Sequence, residues 1–314
     1  MKIGLLFPGQ GAQVLGMGKD VYDVSEEYRD LYKKVKEISG IDVDKITFEN
    51  EELLNQTKYT QLAILTMSLA LLNEIEKEVK IDEEYLAGLS LGEYSALIRS
   101  KALSFEDGIK IVKERGFLMQ EMCPKGNWAM AAIMGLDENK VNEVCEEVNG
   151  FVKPANFNTV GQIVVSGEKS AIDEIMVLAK EKGAKRVLEL NTSGPFHTEK
   201  LLDAATELRK KLDDVKFNNM DKKVVKNLDG KIYDETSDIK EILEKHIISS
   251  VRFEDSINTM ISNGVDTFIE IGPGKTLSGF VKRISKDVKV LNVCDKASLE
   301  NVITFIKNGG EING

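Results

Sequence analysis

The sequence predicts an α/β protein with a mainly parallel sheet and a small inserted subdomain. At both ends of the chain, short apolar runs alternate with segments of helical period, as in parallel strands joined by helices. Between them, residues 126–192 follow the order β-α-β-β-α-β. A Gly-x-Ser-x-Gly pattern stands where one predicted strand passes into a helix. Together these patterns predict a sheet covered by helices on both faces.

The first part of the chain predicts one strand followed by helices. Residues 3–7 form an apolar run, and apolar residues recur at helical spacing through much of 20–80. The segment 62–67 is apolar on nearly every side, which predicts a helix at the centre of the core. Residues 104–107 have the form of a capping box and predict a helix that runs to about Met122.

The segment 126–192 predicts a ferredoxin-like subdomain, and helices and strands alternate again after it. Asn156 and Asn158 interrupt its predicted hairpin, either as turn residues or as residues that line a cleft. We therefore expect a catalytic core formed by 1–125 and 193–314, with 126–192 inserted between its two parts.

Gly88-Leu89-Ser90-Leu91-Gly92 has the strand-turn-helix context of a nucleophile elbow, which is typical of an α/β-hydrolase-like core. The turn is so tight that side chains two residues before and after the serine would collide, so both positions take glycine. The serine hydroxyl is left at the N-terminal end of a helix, which favours an attacking oxygen and a developing oxyanion. A plain strand-to-helix turn is the alternative.

Two histidines, His197 and His246, are the candidate bases for this serine. His197 follows Gly194-Pro195-Phe196, a chain reversal that can turn it toward a cleft, although a solvated loop histidine has the same pattern. His246 falls in a helical run and is less well placed. The glycine-rich loop 9–18 lacks the P-loop lysine and the dinucleotide spacing. It is either a simple turn or a loop whose N–H groups point at an anion.

Arg115 lies within the apolar face of the predicted helix rather than on its charged side. A buried guanidinium must be paired, because an unpaired buried charge costs several kcal/mol. Its partner is either a carboxylate of the protein, which would make the residue structural, or a carboxylate of the substrate held bidentately.

Composition excludes several classes of protein. The chain has 314 residues and a formal net charge of −10, which argues against general nucleic-acid binding. No apolar run approaches the roughly 20 residues of a membrane span, and the N-terminus predicts a strand rather than a signal peptide. Cys123, Cys145 and Cys294 are odd in number and lack metal-like spacing, so we expect a reduced cytoplasmic protein without a metal site.

Taken together, these motifs resemble those of the malonyl-CoA:acyl carrier protein transacylases of bacterial fatty-acid synthesis, and the resemblance covers almost the whole length of the chain. Each matching stretch is weak alone, but their combined order is highly specific. The matches are FPGQGAQ at 7–13, TQLAI at 60–64, GLSLGEYSAL at 88–97, Arg115, AMAAIMG at 129–135, ANFNTVGQIVVSG at 155–167, SGPFH at 193–197 and EIGPGKTLSG at 270–279.

The resemblance assigns the catalytic roles residue by residue. It implies that Ser90 is the acylated nucleophile and His197 its general base. The backbone N–H groups of Gln10 and Leu91 would form the oxyanion hole. The family orients its histidine with a backbone carbonyl rather than an aspartate, and the aligned carbonyl belongs to His246.

The resemblance also implies how substrate is held. Arg115 would bind the malonyl carboxylate, with Gln61 nearby, and the subdomain would line the cleft with Asn156, Asn158 and Gln162. The reaction would be ping-pong, passing malonyl from CoA to the phosphopantetheine thiol of the carrier protein, with no cofactor beyond these substrates. A serine hydrolase and a non-catalytic carrier-binding module are the alternative functions.

Because acyl carrier proteins are acidic, we expect a basic patch at the cleft mouth, including Lys282, Arg283 and Lys286, on a monomeric enzyme. The sequence departs from the family at Leu89, which replaces a histidine, and at Leu202, where methionine is common. Residues 246–251 lack the usual glutamine and proline, which could alter the segment that orients the base. Phe196 resembles the malonyl-selective members.

Overall fold

The computed structural model describes residues 1–192 and 194–311. Its strands within these ranges are β1 (Ile3–Phe7), β2 (Glu83–Gly88), β3 (Trp128–Met134), β4 (Val152–Thr159), β5 (Gln162–Glu168), β6 (Arg186–Leu190), β7 (Lys223–Val224), β8 (Thr267–Ile271) and β9 (Lys289–Val293).

The helices lie on both faces of the larger sheet and on the subdomain. They are α1 (Lys19–Tyr22), α2 (Glu26–Ser39), α3 (Val43–Glu49), α4 (Glu51–Leu54), α5 (Thr57–Glu78), α6 (Gly92–Arg99), α7 (Phe105–Glu121), α8 (Glu138–Glu147), α9 (Lys169–Glu181), α10 (Leu202–Asp213), α11 (Ile239–Ile247), α12 (Phe253–Ser262), α13 (Thr276–Ile284) and α14 (Lys296–Lys307), with a 3₁₀ turn at Glu199–Leu201.

The larger sheet is parallel throughout, in the order β7-β2-β1-β8-β9. Every residue of β1 is buried, as expected for a central strand covered on both faces. The last residues of β1 and β2, Phe7 and Gly88, are register partners. The loops that follow these two strands therefore emerge side by side at the carboxyl edge of the sheet, where α/β proteins place their sites.

The second sheet is antiparallel, in the order β4-β5-β3-β6, which is the arrangement of a ferredoxin-like unit. It has its own apolar core, which includes Ile133, Val165 and Ile172. The predicted fold class is thus confirmed. The exact domain limits stay a prediction, and Ser193 and residues 312–314 lie outside the described residues.

Of the two alternatives for Asn156 and Asn158, the turn is wrong, because both are strand residues of β4; the lining of a cleft remains. The register of β4 shifts on both sides of Phe157, so bulges break the alternation that would have indicated a strand. The two-residue strand β7 was not predicted at all, because so short a run gives no periodic signal.

The predictions for the helices next to the site are confirmed. The apolar helix α5 is buried over most of its length. Ser104 caps α7 by accepting a hydrogen bond from the N–H of Asp107 at 3.0 Å. In the described part of the chain, none of the helices combines the length and apolar character needed to cross a membrane.

Candidate active site

The turn between β2 and α6 holds Ser90 in a left-handed conformation, with φ of 51°. A Cβ at Gly88 would lie 1.9 Å from the backbone of Gly92, and a Cβ at Gly92 would lie 2.0 Å from the carbonyl oxygen of Phe7. Both positions therefore require glycine. Helix α6 begins at Gly92, so the serine lies just before its positive N-terminal end.

The hydroxyl of Ser90 is in contact with an imidazole. Ser90 Oγ lies 2.8 Å from His197 Nε2, and His197 Nδ1 lies 3.0 Å from the carbonyl oxygen of His246. Since a carbonyl can only accept, Nδ1 carries the proton and Nε2 is free to accept from the serine. His197 is itself in the left-handed region, with φ of 59°.

Burial, the larger cause, and the nearby positive charge of Arg115 together lower the pKa of His197 to about 4. The imidazole is consequently neutral near pH 7, as a general base must be. The carbonyl of His246 is in reach although residues 246–251 depart from the family pattern. Strand β4 fixes this segment, because the N–H of Phe157 donates to the carbonyl of Val251 at 2.8 Å.

Arg115 extends from α7 toward the same serine and is 1% exposed. Its Nη2 donates to Ser90 Oγ at 3.0 Å and its Nη1 donates to Gln61 Oε1 at 2.5 Å. Among the described residues Nε has no hydrogen-bond partner, and no carboxylate forms an ion pair with this guanidinium. Of the two predicted partners for Arg115, a protein carboxylate is therefore not found in that part of the chain.

A cleft of about 230 Å³ opens above Ser90 between the two sheets. From the subdomain, Asn156, Asn158 and Gln162 line it, and the buried Oδ1 of Asn158 has no partner in the described structure. Leu89, the departure beside the serine, also lines the cleft. The other departure, Leu202, is 54% exposed and is not among the lining residues.

Gln10 lines this cleft, and Leu91 directly follows Ser90 in the chain. Within the described residues, neither Gln10 N–H nor Leu91 N–H donates to a protein acceptor. The side chain of Gln10 donates to Thr57 Oγ1 at 3.0 Å, which anchors its loop against α5. Unpaired N–H groups beside a nucleophile are what an oxyanion hole requires.

Sequence reasoning missed Asn227, which follows β7 and is fully buried. Its Oδ1 accepts from Ser90 N–H and its Nδ2 donates to the carbonyl of Gly88, each at 2.7 Å. The side-chain amide of Asn227 thus connects Gly88, at the end of β2, with Ser90 in the turn. The available signal was weak: a short β-branched run, Val224-Val225, followed by polar residues at the carboxyl end of a possible strand.

Comparison with known proteins decides the family. Residues 5–311 match the model of the acyl transferase domain family. The chain is also 43% identical over 310 residues to the malonyl CoA-acyl carrier protein transacylase of Bacillus subtilis (strain 168), covering 98% of each protein. The chain belongs to this transacylase family.

Other members of the family agree in sequence and in structure. The Staphylococcus aureus (strain MRSA252) transacylase is 39% identical over 98% of this chain and 99% of its own length. The crystal structure of the Clostridium perfringens ATCC 13124 transacylase superposes with a TM-score of 0.92 at 44% identity, covering 98% of both chains. A malonyl-transacylase in complex with its type II PKS acyl carrier protein gives 0.93 at 34% identity, covering 97% of this chain and 99% of that one.

Proposed function

We propose that this protein transfers a malonyl group from malonyl-CoA to the phosphopantetheine thiol of an acyl carrier protein, supplying fatty-acid chain elongation. The observation that carries the proposal is the position of Ser90 Oγ, 2.8 Å from a neutral imidazole and 3.0 Å from a buried guanidinium. The first contact activates a nucleophile for acyl transfer. The second provides a cation for an acyl group that ends in a carboxylate.

In the first half of the proposed reaction, His197 Nε2 takes the proton of Ser90 as Oγ attacks the thioester carbon. The tetrahedral oxyanion is held by the N–H groups of Gln10 and Leu91. The C–S bond then breaks, the imidazolium returns the proton to the CoA sulfur, and malonyl-Ser90 remains. His246 contributes its carbonyl, which stabilises the imidazolium through Nδ1–H.

In the second half, the carrier thiol gives its proton to His197 and attacks the ester of Ser90. The bond to Oγ breaks, and the proton returns to the serine, so the enzyme is regenerated. Every proton and charge in this ping-pong cycle is handled by side chains and backbone groups of the chain. The proposal therefore invokes no cofactor apart from the two substrates.

Substrate binding follows from the lining of the cleft and from Arg115, which contacts the lining residues Gln61 and Ser90. Arg115, fixed by Gln61, would pair with the malonyl carboxylate, while Asn156, Asn158 and Gln162 offer hydrogen bonds to the pantetheine arm. An acetyl group would leave the guanidinium buried and without an anion, which costs on the order of 2–5 kcal/mol.

The carrier protein is proposed to dock on α13 and the loop after it. Thr276 and Phe280 of this helix line the cleft, and Lys282, Arg283 and Lys286 are exposed beside them. An acidic carrier fits such a surface, which joins the cleft directly. We propose further that the enzyme acts as a cytoplasmic monomer.

Intact-mass measurement after incubation with malonyl-CoA tests this function. Wild-type protein should gain one malonyl group and lose it when a phosphopantetheinylated carrier is added, whereas Ser90→Ala should gain none. Rapid release of free malonate without a carrier would show a hydrolase instead. No adduct and no turnover would show a carrier-binding module.

A further inference from the structure

A buried carboxyl group lies behind the Ser90–His197 pair and takes no part in the proposed proton transfers. Glu93 is fully buried in the first turn of α6. Its Oε1 accepts from the hydroxyl of Tyr233 at 2.6 Å, and its Oε2 accepts from the backbone N–H of Asn227 at 3.2 Å. Taking a carboxyl group out of water costs free energy unless hydrogen bonds compensate it, so its contacts are the features to examine.

One contact of Glu93 leads to the nucleophile. The backbone of Asn227 donates to Glu93, and the side chain of the same residue bonds Ser90 N–H and the carbonyl of Gly88. Ser90 needs such support, because a non-glycine residue at φ of 51° is strained and keeps that conformation only when its surroundings impose it.

The other contact leads to the base. Oε2 of Glu93 lies 3.3 Å from Nδ1 of His246, a polar contact without the alignment of a hydrogen bond. It is not an ion pair, because burial holds the pKa of His246 well below its usual value and the ring is neutral. The imidazole of His246 is fully buried and stacks on that of His197 at 5.2 Å between ring centroids. The carbonyl of the same residue accepts from His197 Nδ1.

We propose that Glu93 is a positioning residue that fixes the nucleophile and the base relative to each other. Its carboxyl group accepts from the backbone N–H of Asn227, and the side chain of Asn227 fixes the elbow. The same carboxyl group faces the imidazole ring of His246, and the backbone carbonyl of His246 orients His197. The inference rests on the proposed function, because malonyl transfer is the reaction whose rate is measured.

The required feature is the hydrogen-bond acceptor rather than the charge. Burial raises the pKa of Glu93 to about 7, so both protonation states are populated near neutral pH. Each state presents an oxygen to Asn227. A glutamine can do the same, with its amide nitrogen donating to the hydroxyl oxygen of Tyr233. Leucine cannot.

The experiment compares Glu93→Leu, Glu93→Gln and a matched control, Glu83→Leu. Glu83 is also fully buried, but it lies at the opposite end of β2 and pairs with Arg99 at 2.8 Å. Two rates are measured: malonyl transfer to a carrier protein, and labelling of Ser90 by a fluorophosphonate followed by intact mass. The second rate depends on the dyad alone and not on the acyl substrate.

Glu93→Leu should lower kcat and the labelling rate about 10- to 100-fold, because misplacing the reacting groups costs that much. KM for malonyl-CoA should stay within about 2-fold of wild type, because the cleft is unchanged. Glu93→Gln should restore both rates to within about 3-fold of wild type, since one acceptor is kept. Glu83→Leu should lower the melting temperature and leave both rates at the wild-type level.

Wild-type rates in Glu93→Leu, or an equal loss of rate in Glu83→Leu, would overturn the proposal. If Glu93→Leu does not fold, Asn227→Ala decides in its place: a similar loss of rate supports the link to the elbow, and wild-type rates refute it. If wild-type protein is labelled at Ser90 but forms no malonyl adduct, the proposed function fails, and the labelling rates alone decide the role of Glu93.

Discussion

Arg115 Nη2 donates a hydrogen bond of 3.0 Å to Ser90 Oγ, so the guanidinium and the imidazole of His197 contact the same hydroxyl. The guanidinium is also held by Gln61. In the proposed acyl-enzyme, Oγ would be an ester oxygen and a weaker acceptor, which would leave Nη2 available to the carboxylate of the acyl group.

Replacing Arg115 with alanine should shift acyl preference from malonyl toward acetyl. The lost pairing is worth about 2–5 kcal/mol, so kcat/KM for malonyl-CoA should fall about 30- to 4,000-fold. The value for acetyl-CoA should hold or rise, because no buried cation is left without an anion. Parallel kinetics with both thioesters measure the ratio.

Arg115→Lys is the matched control. It keeps the charge but loses the planar fork, so its selectivity should fall between those of wild type and Arg115→Ala. An unchanged ratio of malonyl to acetyl in Arg115→Ala would remove this residue from substrate recognition.

In the pH profile of malonyl transfer, kcat/KM should not fall near pH 6.5, where protonation of an ordinary histidine would lower it. Since burial puts the pKa of His197 at about 4, below the ordinary 6.5, the imidazole is unprotonated and able to accept the serine proton at every pH above about 4. We expect kcat/KM to stay constant from neutral pH down to about 5.

A second buried group defines the control for that profile. Glu93 has a pKa of about 7, so a limb near that pH in wild type, absent from Glu93→Gln, would belong to the carboxyl group. A limb near pH 6.5 that persists in Glu93→Gln would show that His197 is more solvated than its position indicates.

Gly92→Ala should unfold or strongly destabilise the protein. The added Cβ would lie 2.0 Å from the carbonyl oxygen of Phe7, and two backbone segments cannot separate without disturbing both strands. We expect a loss of about 3 kcal/mol or more in the free energy of unfolding, measured by urea denaturation.

Gly279→Ala provides the comparison for Gly92→Ala. This glycine lies in α13, and among the described residues no atom outside its own stretch of helix lies within 4 Å of the position that an added methyl group would take. Alanine should therefore stabilise the helix by about 0.5–1 kcal/mol. Equal stability of Gly92→Ala and wild type would mean that the elbow is looser than its contacts indicate.

The sequence marks Ser90, His197 and Arg115 as candidates because each stands out locally, and the structure brings their side chains into contact at Ser90 Oγ. The flanking glycines mark the serine, only two histidines exist, and a cation interrupts an apolar face. Asn227 could not be selected in this way. It acts on a residue 137 positions away, and only the parallel pairing of β2 with β7 brings the two together.

Specific docking of the carrier protein should depend on the basic residues of α13 and the following loop. Lys282 and Lys286 are exposed, and neither forms an ion pair among the described residues. Arg283 donates to Gln162 across the cleft mouth, so its substitution would also disturb the cleft. The double variant Lys282→Glu/Lys286→Glu therefore isolates the effect of surface charge.

This double variant should raise KM for the carrier protein about 10-fold or more at low salt, because two attractive charges become repulsive. Formation of malonyl-Ser90 from malonyl-CoA should proceed at the wild-type rate, since the cleft is unchanged. Lys33→Glu/Lys34→Glu, on the exposed side of α2, makes the same change in net charge away from the cleft. Equal losses in the two double variants would show that net charge, and not a docking surface beside α13, governs the encounter with the carrier.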